Sequence, residues 1–174
     1  KGACYYSDKS LYSKGIMPVD TYNKNVDQLY PNELECDWDT LRKEAKKYGV
    51  RNTTLSAIPP TASSSLVSNS TQGIDPIQST TDTFEASNFT VKSLIPDYHK
   101  EPYYMKAWEL PNNNSAEYIK LMSILQKFID QAMSTNQWYD LTKVPNKILD
   151  SNRVKRDIFT AWKYGLKSLY YIRT

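Results

Sequence analysis

Residues 54 to 73 read TLSAIPPTASSSLVSNSTQG, and the pair Pro59-Pro60 in their middle constrains the chain more than any other feature. Neither proline can donate a backbone hydrogen bond, and each pushes the residue before it out of helical conformation. The run before them, Thr53–Ile58, is therefore expected to be a short buried strand that must stop. The Ser-rich run after them opens a new element. Thr61 is a good helix N-cap. The resulting strand–turn–helix makes the amides of Ala62, Ser63 and Ser64 the first helical N–H groups without a backbone acceptor. Together with the helix dipole these attract an anion. The hydroxyls of Thr61, Ser63 and Ser64 add donors, and small side chains let a phosphate approach the backbone. The same letters also describe an ordinary capped helix with a Ser-rich first turn. No Gly-x-x-x-x-Gly-Lys spacing is present, so nucleotide hydrolysis of the P-loop kind is not indicated.

The rest of the chain alternates between helical and strand periodicity. Trp38, Leu41, Ala45 and Tyr48 share one helix face, with Asp37 before them and Gly49 as the stop. Residues 79–94 read as a hairpin turning at Ala86, Ser87 and Asn88. Asn114 opens the longest helix, with Glu117 at capping-box spacing and a stripe of Tyr118, Leu121, Met122, Leu125, Phe128, Ile129 and Ala132. A further helix starts at Asp150 or Ser151 and is expected to bury Val154, Ile158, Ala161, Trp162 and Leu166. Residues 168–172 then read as a strand. A helical turn over Ser10–Ser13, ended by Gly15, completes the list. This order predicts α/β organisation.

Composition narrows the chemistry. The 174 residues are 40% apolar, enough for one sizeable core, and Tyr (14) and Trp (4) argue against disorder. A net charge of +3 spread among interspersed acids gives no clustered basic face, so nucleic acid is not an expected partner. Cys4 and Cys36 form no CxxC, and His99, the single histidine, cannot pair, so no metal site is expected from this chain alone. His99 reads as a surface residue. Trp38, Trp108, Trp138 and Trp162 read as core or interface anchors. No apolar run of membrane-spanning length occurs, so no membrane is expected either. The Asn-x-Ser/Thr matches at Asn52, Asn69, Asn88 and Asn113 read as chance. Lys1 is not a methionine, which suggests a chain that begins inside a longer polypeptide.

Tyr170 and Tyr171 are the second candidate site. Neighbours on a regular strand point to opposite faces, so two phenols act together only where the strand is distorted. Otherwise they are two aromatics of an end strand.

Five segments, taken together, carry a resemblance: KGACYYSDKSLYSKGIMPVDTY, KYGVRNTTLSAIPPTASSSLVSNSTQGIDP, LIPDY, LMSILQKFIDQAMSTNQWYD and AWKYGLKSLYYIRT. In this order they resemble the C-terminal part of the large (alpha, catalytic) subunit of class I ribonucleoside-diphosphate reductases, of the enterobacterial and T4-like phage type. The resemblance implies the last strands of a ten-stranded α/β barrel, with a β-hairpin and C-terminal helices. It implies reduction of ribonucleoside diphosphates to deoxyribonucleoside diphosphates by radical chemistry. The family's substrate-phosphate loop falls on Pro60, Thr61, Ala62, Ser63 and Ser64. Many relatives carry an acidic residue where Ala62 stands. The family's radical-transfer tyrosines fall on Tyr170 and Tyr171, which implies that the two rings stack.

The family's thiyl-forming cysteine, its partner Asn and Glu, and the reducible cysteine pair belong to earlier parts of the subunit. Its shuttle cysteines lie beyond Thr174. Cys4 and Cys36 match none of these and read as small packing residues. The implied partners are the N-terminal portion of the large subunit, the small radical-generating subunit with its diiron–tyrosyl radical, a ribonucleoside diphosphate, and thioredoxin or glutaredoxin as reductant. ATP and dNTP effectors would bind upstream, and this chain would bind no cofactor itself. The implied setting is cytoplasmic, the host cytoplasm for a phage protein. Residues 1–174 are expected to form a single piece, a barrel segment incomplete without its complement, burying more than roughly 2,000 Å² against it as obligate interfaces do. The alternative is a stand-alone nucleotide- or phosphate-binding or interaction module without catalysis.

Overall fold

A computed structural model describes residues 9–31, 35–86, 89–111 and 114–174. Lys1, Cys4, Ser87, Asn88 and Asn113 lie outside the described residues, and with them the tip of the expected hairpin.

The expected turn near Ser10 is a 3-10 helix over Tyr12–Lys14, closed by Gly15 at a φ of 76°. A short helix α1, Pro18–Thr21, follows with proline in its first turn and the Asp20 carboxylate accepting from the Met17 N–H at 2.8 Å. Helix α2, Trp38–Tyr48, has the predicted caps: Asp37 accepts from the Thr40 N–H, and Gly49 ends it at a φ of 75°. Its apolar stripe is only partly covered, with Leu41 and Tyr48 exposed and no residue fully buried. Polar bonds hold it instead. The Arg42 guanidinium donates to the Gly15 carbonyl at 2.9 Å and forms an ion pair with Asp20.

Residues 53–58 form no strand and pair with none among the described residues, contrary to expectation. The reason is a carboxylate. Asp130 accepts from the Leu55 and Ser56 N–H groups at 2.7 and 3.0 Å, and the Ser56 carbonyl accepts from the Gln131 N–H at 3.2 Å. One loop thus satisfies the segment that a sheet edge would otherwise serve. Helix α3, Ala62–Ser68, comes next. Strands β1, Thr81–Ala86, and β2, Phe89–Leu94, form the predicted antiparallel hairpin, in register from Thr81 opposite Leu94 to Ala86 opposite Phe89.

Helix α4, Ser115–Gln126, starts where its cap predicts, with the Asn114 side chain accepting from the Ala116 N–H at 3.0 Å. Glu117 does not complete a capping box; it accepts from Lys120 at 2.7 Å. The helix ends before Phe128, Ile129 and Ala132, which the stripe would have included. There the Gln126 amide N–H groups hold the carbonyls of Ile129 and Gln131 and turn the chain away. The buried face runs through Tyr118, Ile119, Met122 and Gln126, whereas Leu121 is exposed.

Strand β3, Gln137–Trp138, helix α5, Ser151–Lys163, and strand β4, Ile172–Arg173, then make a parallel βαβ unit. Asp150 caps α5 by accepting from the Asn152 N–H. Gly165 follows α5 at a φ of 77°, where a Cβ would stand 2.3 Å from that of Asn23. Asn23 and Asn25 use that closeness to donate to the Lys163 carbonyl, each at 3.1 Å. Helix α4 packs on α5 over a core of Ala107, Leu110, Tyr118, Ile119, Met122, Met133, Trp138, Ala161 and Leu166. Trp108 meets Trp138 edge-on at 5.5 Å.

Helix α5 departs from its predicted face. Asp157 and Ala161 are its buried residues, while Ile158 and Trp162 are exposed, Trp162 by 76%. Cys36 is exposed and is not a packing residue. His99 is exposed as expected. The architecture is α/β, with two two-stranded sheets and no closed barrel among the described residues. Among those residues no helix is long and apolar enough to cross a membrane.

Candidate functional site

A cleft of about 590 Å³ is bordered by both predicted tyrosines and, of the predicted phosphate loop, by Pro60 alone. Its lining includes Ile58, Pro59, Pro60 and Ser65 from around the turn, Asn136, Trp138, Tyr170, Tyr171 and Arg173 from around the βαβ unit, and Asp75. Thr61, Ala62, Ser63 and Ser64 are not part of this lining.

The turn itself is set by its own backbone. Thr61 donates both its N–H and its hydroxyl to the Gln72 carbonyl, at 2.9 and 3.1 Å, which closes residues 61–72 into a loop. The first helical bond runs from the Ser65 N–H to the Thr61 carbonyl at 2.8 Å, so the N–H groups of Ala62, Ser63 and Ser64 precede it. The hydroxyls fare differently from expectation. Those of Thr61 and Ser64 serve backbone carbonyls of the loop, and the Thr61 side chain makes no N-cap bond. Ser63 and Ser64 are exposed and Ser65 is buried. Asp130 fixes the approach to this turn. Burial pushes its carboxyl upward, but the Leu55 and Ser56 N–H groups and the Tyr12 hydroxyl outweigh this and hold it below the usual carboxylate range.

The tyrosines meet. Their ring centroids lie 4.0 Å apart with planes tilted by 49°, and the Tyr171 hydroxyl donates to that of Tyr170 at 3.1 Å. The rings are thus in contact but not stacked face to face. The Arg173 guanidinium covers the Tyr171 ring at 4.6 Å. The Tyr170 phenol is raised above its ordinary value, chiefly by its hydrogen bond to Tyr171.

Around β3 lies a buried polar network that sequence reasoning missed. The Tyr139 hydroxyl, fully buried, donates to Asp157 at 2.7 Å and accepts from the Gln137 amide at 3.0 Å. Burial and the neighbouring carboxylate push the Tyr139 phenol upward. A signal was present: Asp157 stands three residues after Val154 and four before Ala161, an acid on the face predicted to be apolar. Asp75 was also missed; it accepts from the Tyr118 hydroxyl and, at 2.8 Å, from the Asn136 amide. Among the described residues no group of three or more His, Cys, Asp and Glu could hold a metal ion.

A parallel βαβ unit with a helix turn at the same cleft is an α/β arrangement. Comparison with known sequences makes this specific. The family model described as ribonucleotide reductase, barrel domain, matches residues 1–172, and the chain belongs to this family. Its relatives include the ribonucleoside-diphosphate reductase subunit alpha of Buchnera aphidicola subsp. Baizongia pistaciae, 42% identical, and the ribonucleoside-diphosphate reductase 1 subunit alpha of Escherichia coli K12, 39% identical, each over all of this chain and 23% of the relative. The subunit alpha of enterobacteria phage T4 is 35% identical over 98% of this chain and 22% of its own length. The chain therefore spans less than a quarter of the length of these relatives.

Proposed function

We propose that this chain is the C-terminal barrel segment of a ribonucleoside-diphosphate reductase large subunit. In that role it supplies the turn that binds the substrate diphosphate and a tyrosine pair that passes a radical towards the catalytic centre. The observation that carries the reading is the shared cleft: Pro59 and Pro60 border it, and so do two hydrogen-bonded phenols.

At the turn, the N–H groups of Ala62, Ser63 and Ser64 and the N-terminal end of α3 receive phosphate oxygens without a cationic side chain. Ala62 costs nothing there, because backbone donors need no carboxylate beside them.

At the tyrosines, the step is hydrogen-atom exchange. A phenoxyl oxygen on one residue takes the hydroxyl hydrogen of the other, one proton with one electron. The first O–H bond forms as the second breaks, and the unpaired electron moves by one residue. Donor and acceptor are chemically alike, so the exchange is close to thermoneutral, and a hydroxyl separation of 3.1 Å is within hydrogen-bond reach for it. The oxidising equivalent comes from the small radical-generating subunit. The earlier part of the large subunit provides the cysteines that act on the ribose, with thioredoxin or glutaredoxin as the source of reducing equivalents.

The test uses the complete large subunit with its small subunit. Tyr170→Phe and Tyr171→Phe keep the rings but remove the O–H, so each variant should lose turnover to background while binding ribonucleoside diphosphate normally. Wild-type turnover in both variants would remove the relay role.

A further inference from the structure

Immediately upstream of the β3–β4 ladder the pairing slips by one residue, and the slip falls on the tyrosine pair. In a regular parallel ladder, a residue flanked by two on the partner strand donates to the first and accepts from the second. Tyr171 accepts from the Gln137 N–H at 2.8 Å, and Arg173 accepts from the Tyr139 N–H at 2.9 Å. Continued upstream, this pattern would have the Tyr171 N–H donate to the Thr135 carbonyl. That carbonyl is taken instead by the Tyr170 N–H, at 2.8 Å. Two residues leading into β4 thus answer one interval of the segment leading into β3, in the manner of a β-bulge. The displaced Tyr171 N–H finds a different acceptor, the side-chain oxygen of Asn136, at 3.3 Å.

The chemistry of Asn136 fits this position on both sides. Its amide nitrogen donates to Asp75 at 2.8 Å, and Asp75 takes its other hydrogen bond from the buried Tyr118. A carboxylate only accepts and a backbone N–H only donates, so a carboxamide between them has one possible orientation.

We propose that Asn136 is a positioning residue for the tyrosine pair: oriented by Asp75, it accepts the N–H that the bulge expels from the ladder and so keeps Tyr170 and Tyr171 side by side. Without that acceptor, the Tyr171 N–H regains the Thr135 carbonyl, the strand straightens, and adjacent side chains return to opposite faces. Asp75 also ties this device to the turn. It lies three residues after Gln72, whose carbonyl receives both donors of Thr61. The inference rests on the relay reading of the pair.

The experiment uses the assembled enzyme with CDP as substrate. Asn136→Ala should lower kcat by roughly tenfold to a hundredfold, the scale of a misplacement of about 1 Å, while KM for CDP stays within about twofold. Asn136→Asp keeps the shape but sets a second carboxylate against Asp75; the Tyr118 phenol on Asp75 and, at the cleft, Tyr170, Tyr171 and Arg173 are the other ionisable neighbours. A proton shared between the two acids restores the missing donor, so the turnover of this variant relative to wild type should rise as pH falls. Wild-type kcat in Asn136→Ala, a loss carried by KM alone, or a pH-independent ratio for Asn136→Asp would each overturn the proposal. Should Asn136→Ala fail to fold, the Asn136→Asp profile decides alone. Failure here is separable from failure of the relay itself: an inactive Tyr171→Phe beside a fully active Asn136→Ala sinks only the positioning role, whereas an active Tyr171→Phe sinks both.

Discussion

The two walls of the cleft are supported in different ways. The tyrosine pair rests on the βαβ unit, where α4 and α5 close over a continuous core and the strand beneath is locked by a buried Tyr139–Asp157 bond. The turn at Pro59-Pro60 has little apolar support beyond a partly buried Ile58; it is held by Asp130 before it and by the Thr61–Gln72 closure after it. Apolar burial is worth more per residue than partly exposed hydrogen bonds. The relay wall should therefore resist perturbation as a unit, and the turn should yield to single polar changes.

Trp138→Ala attacks the relay wall most directly, because this indole sits at the centre of the core against Trp108. The full-length subunit should lose about 3–5 kcal/mol in denaturant unfolding, with turnover falling as folded protein is lost. Asp157→Ala strikes the same wall through its polar lock. It strands the buried Tyr139 hydroxyl, at a cost of about 2–3 kcal/mol in the same measurement. A thermal profile that matches wild type would show that the lock is dispensable.

Ser63→Pro tests the turn without touching the core. Proline is tolerated in a first helical turn but removes one N–H from the proposed diphosphate site. KM for the diphosphate should rise about tenfold with kcat kept, the size of one charge-assisted hydrogen bond. Ser63→Ala keeps that N–H and should change KM by less than about twofold, since the backbone and not the hydroxyl makes the contact.

Asp130→Asn should cost about 1 kcal/mol and loosen the turn more than the core. The sign of its pH dependence follows from a carboxyl held below its ordinary value. The stability it lends is fully present above the unfolded-state value and is lost as pH falls through the folded-state value. Acid titration of the melting temperature should therefore show a smaller loss in Asp130→Asn than in wild type.

Much of this was legible in the letters wherever a local rule governs. The caps at Asp37, Asn114 and Asp150 and the stop at Gly49 stand where side-chain chemistry and glycine place them. The hairpin strands stand on the two β-rich runs that suggested them. The predictions that failed concern which groups meet at a distance. Residues 53–58 read as a strand because local propensity cannot see Asp130, 75 residues from Leu55. The apolar face of α5 was misplaced because Asp157 is buried only once Tyr139 lies opposite it. Strand β3 is two residues long and carries no periodic signal.

What the sequence determined by itself is therefore local: where helices start and stop, and that small residues with early N–H groups follow the proline pair. These depend on dihedral limits and on donors within a few residues of their acceptors. It also carried, as extended similarity, the family to which the chain belongs. Only the tertiary structure decided that Pro60 and the tyrosines border one cleft, and that the adjacent phenols meet. That contact depends on one backbone N–H leaving its ladder for an asparagine 35 residues away, a choice among long-range partners that no local pattern encodes.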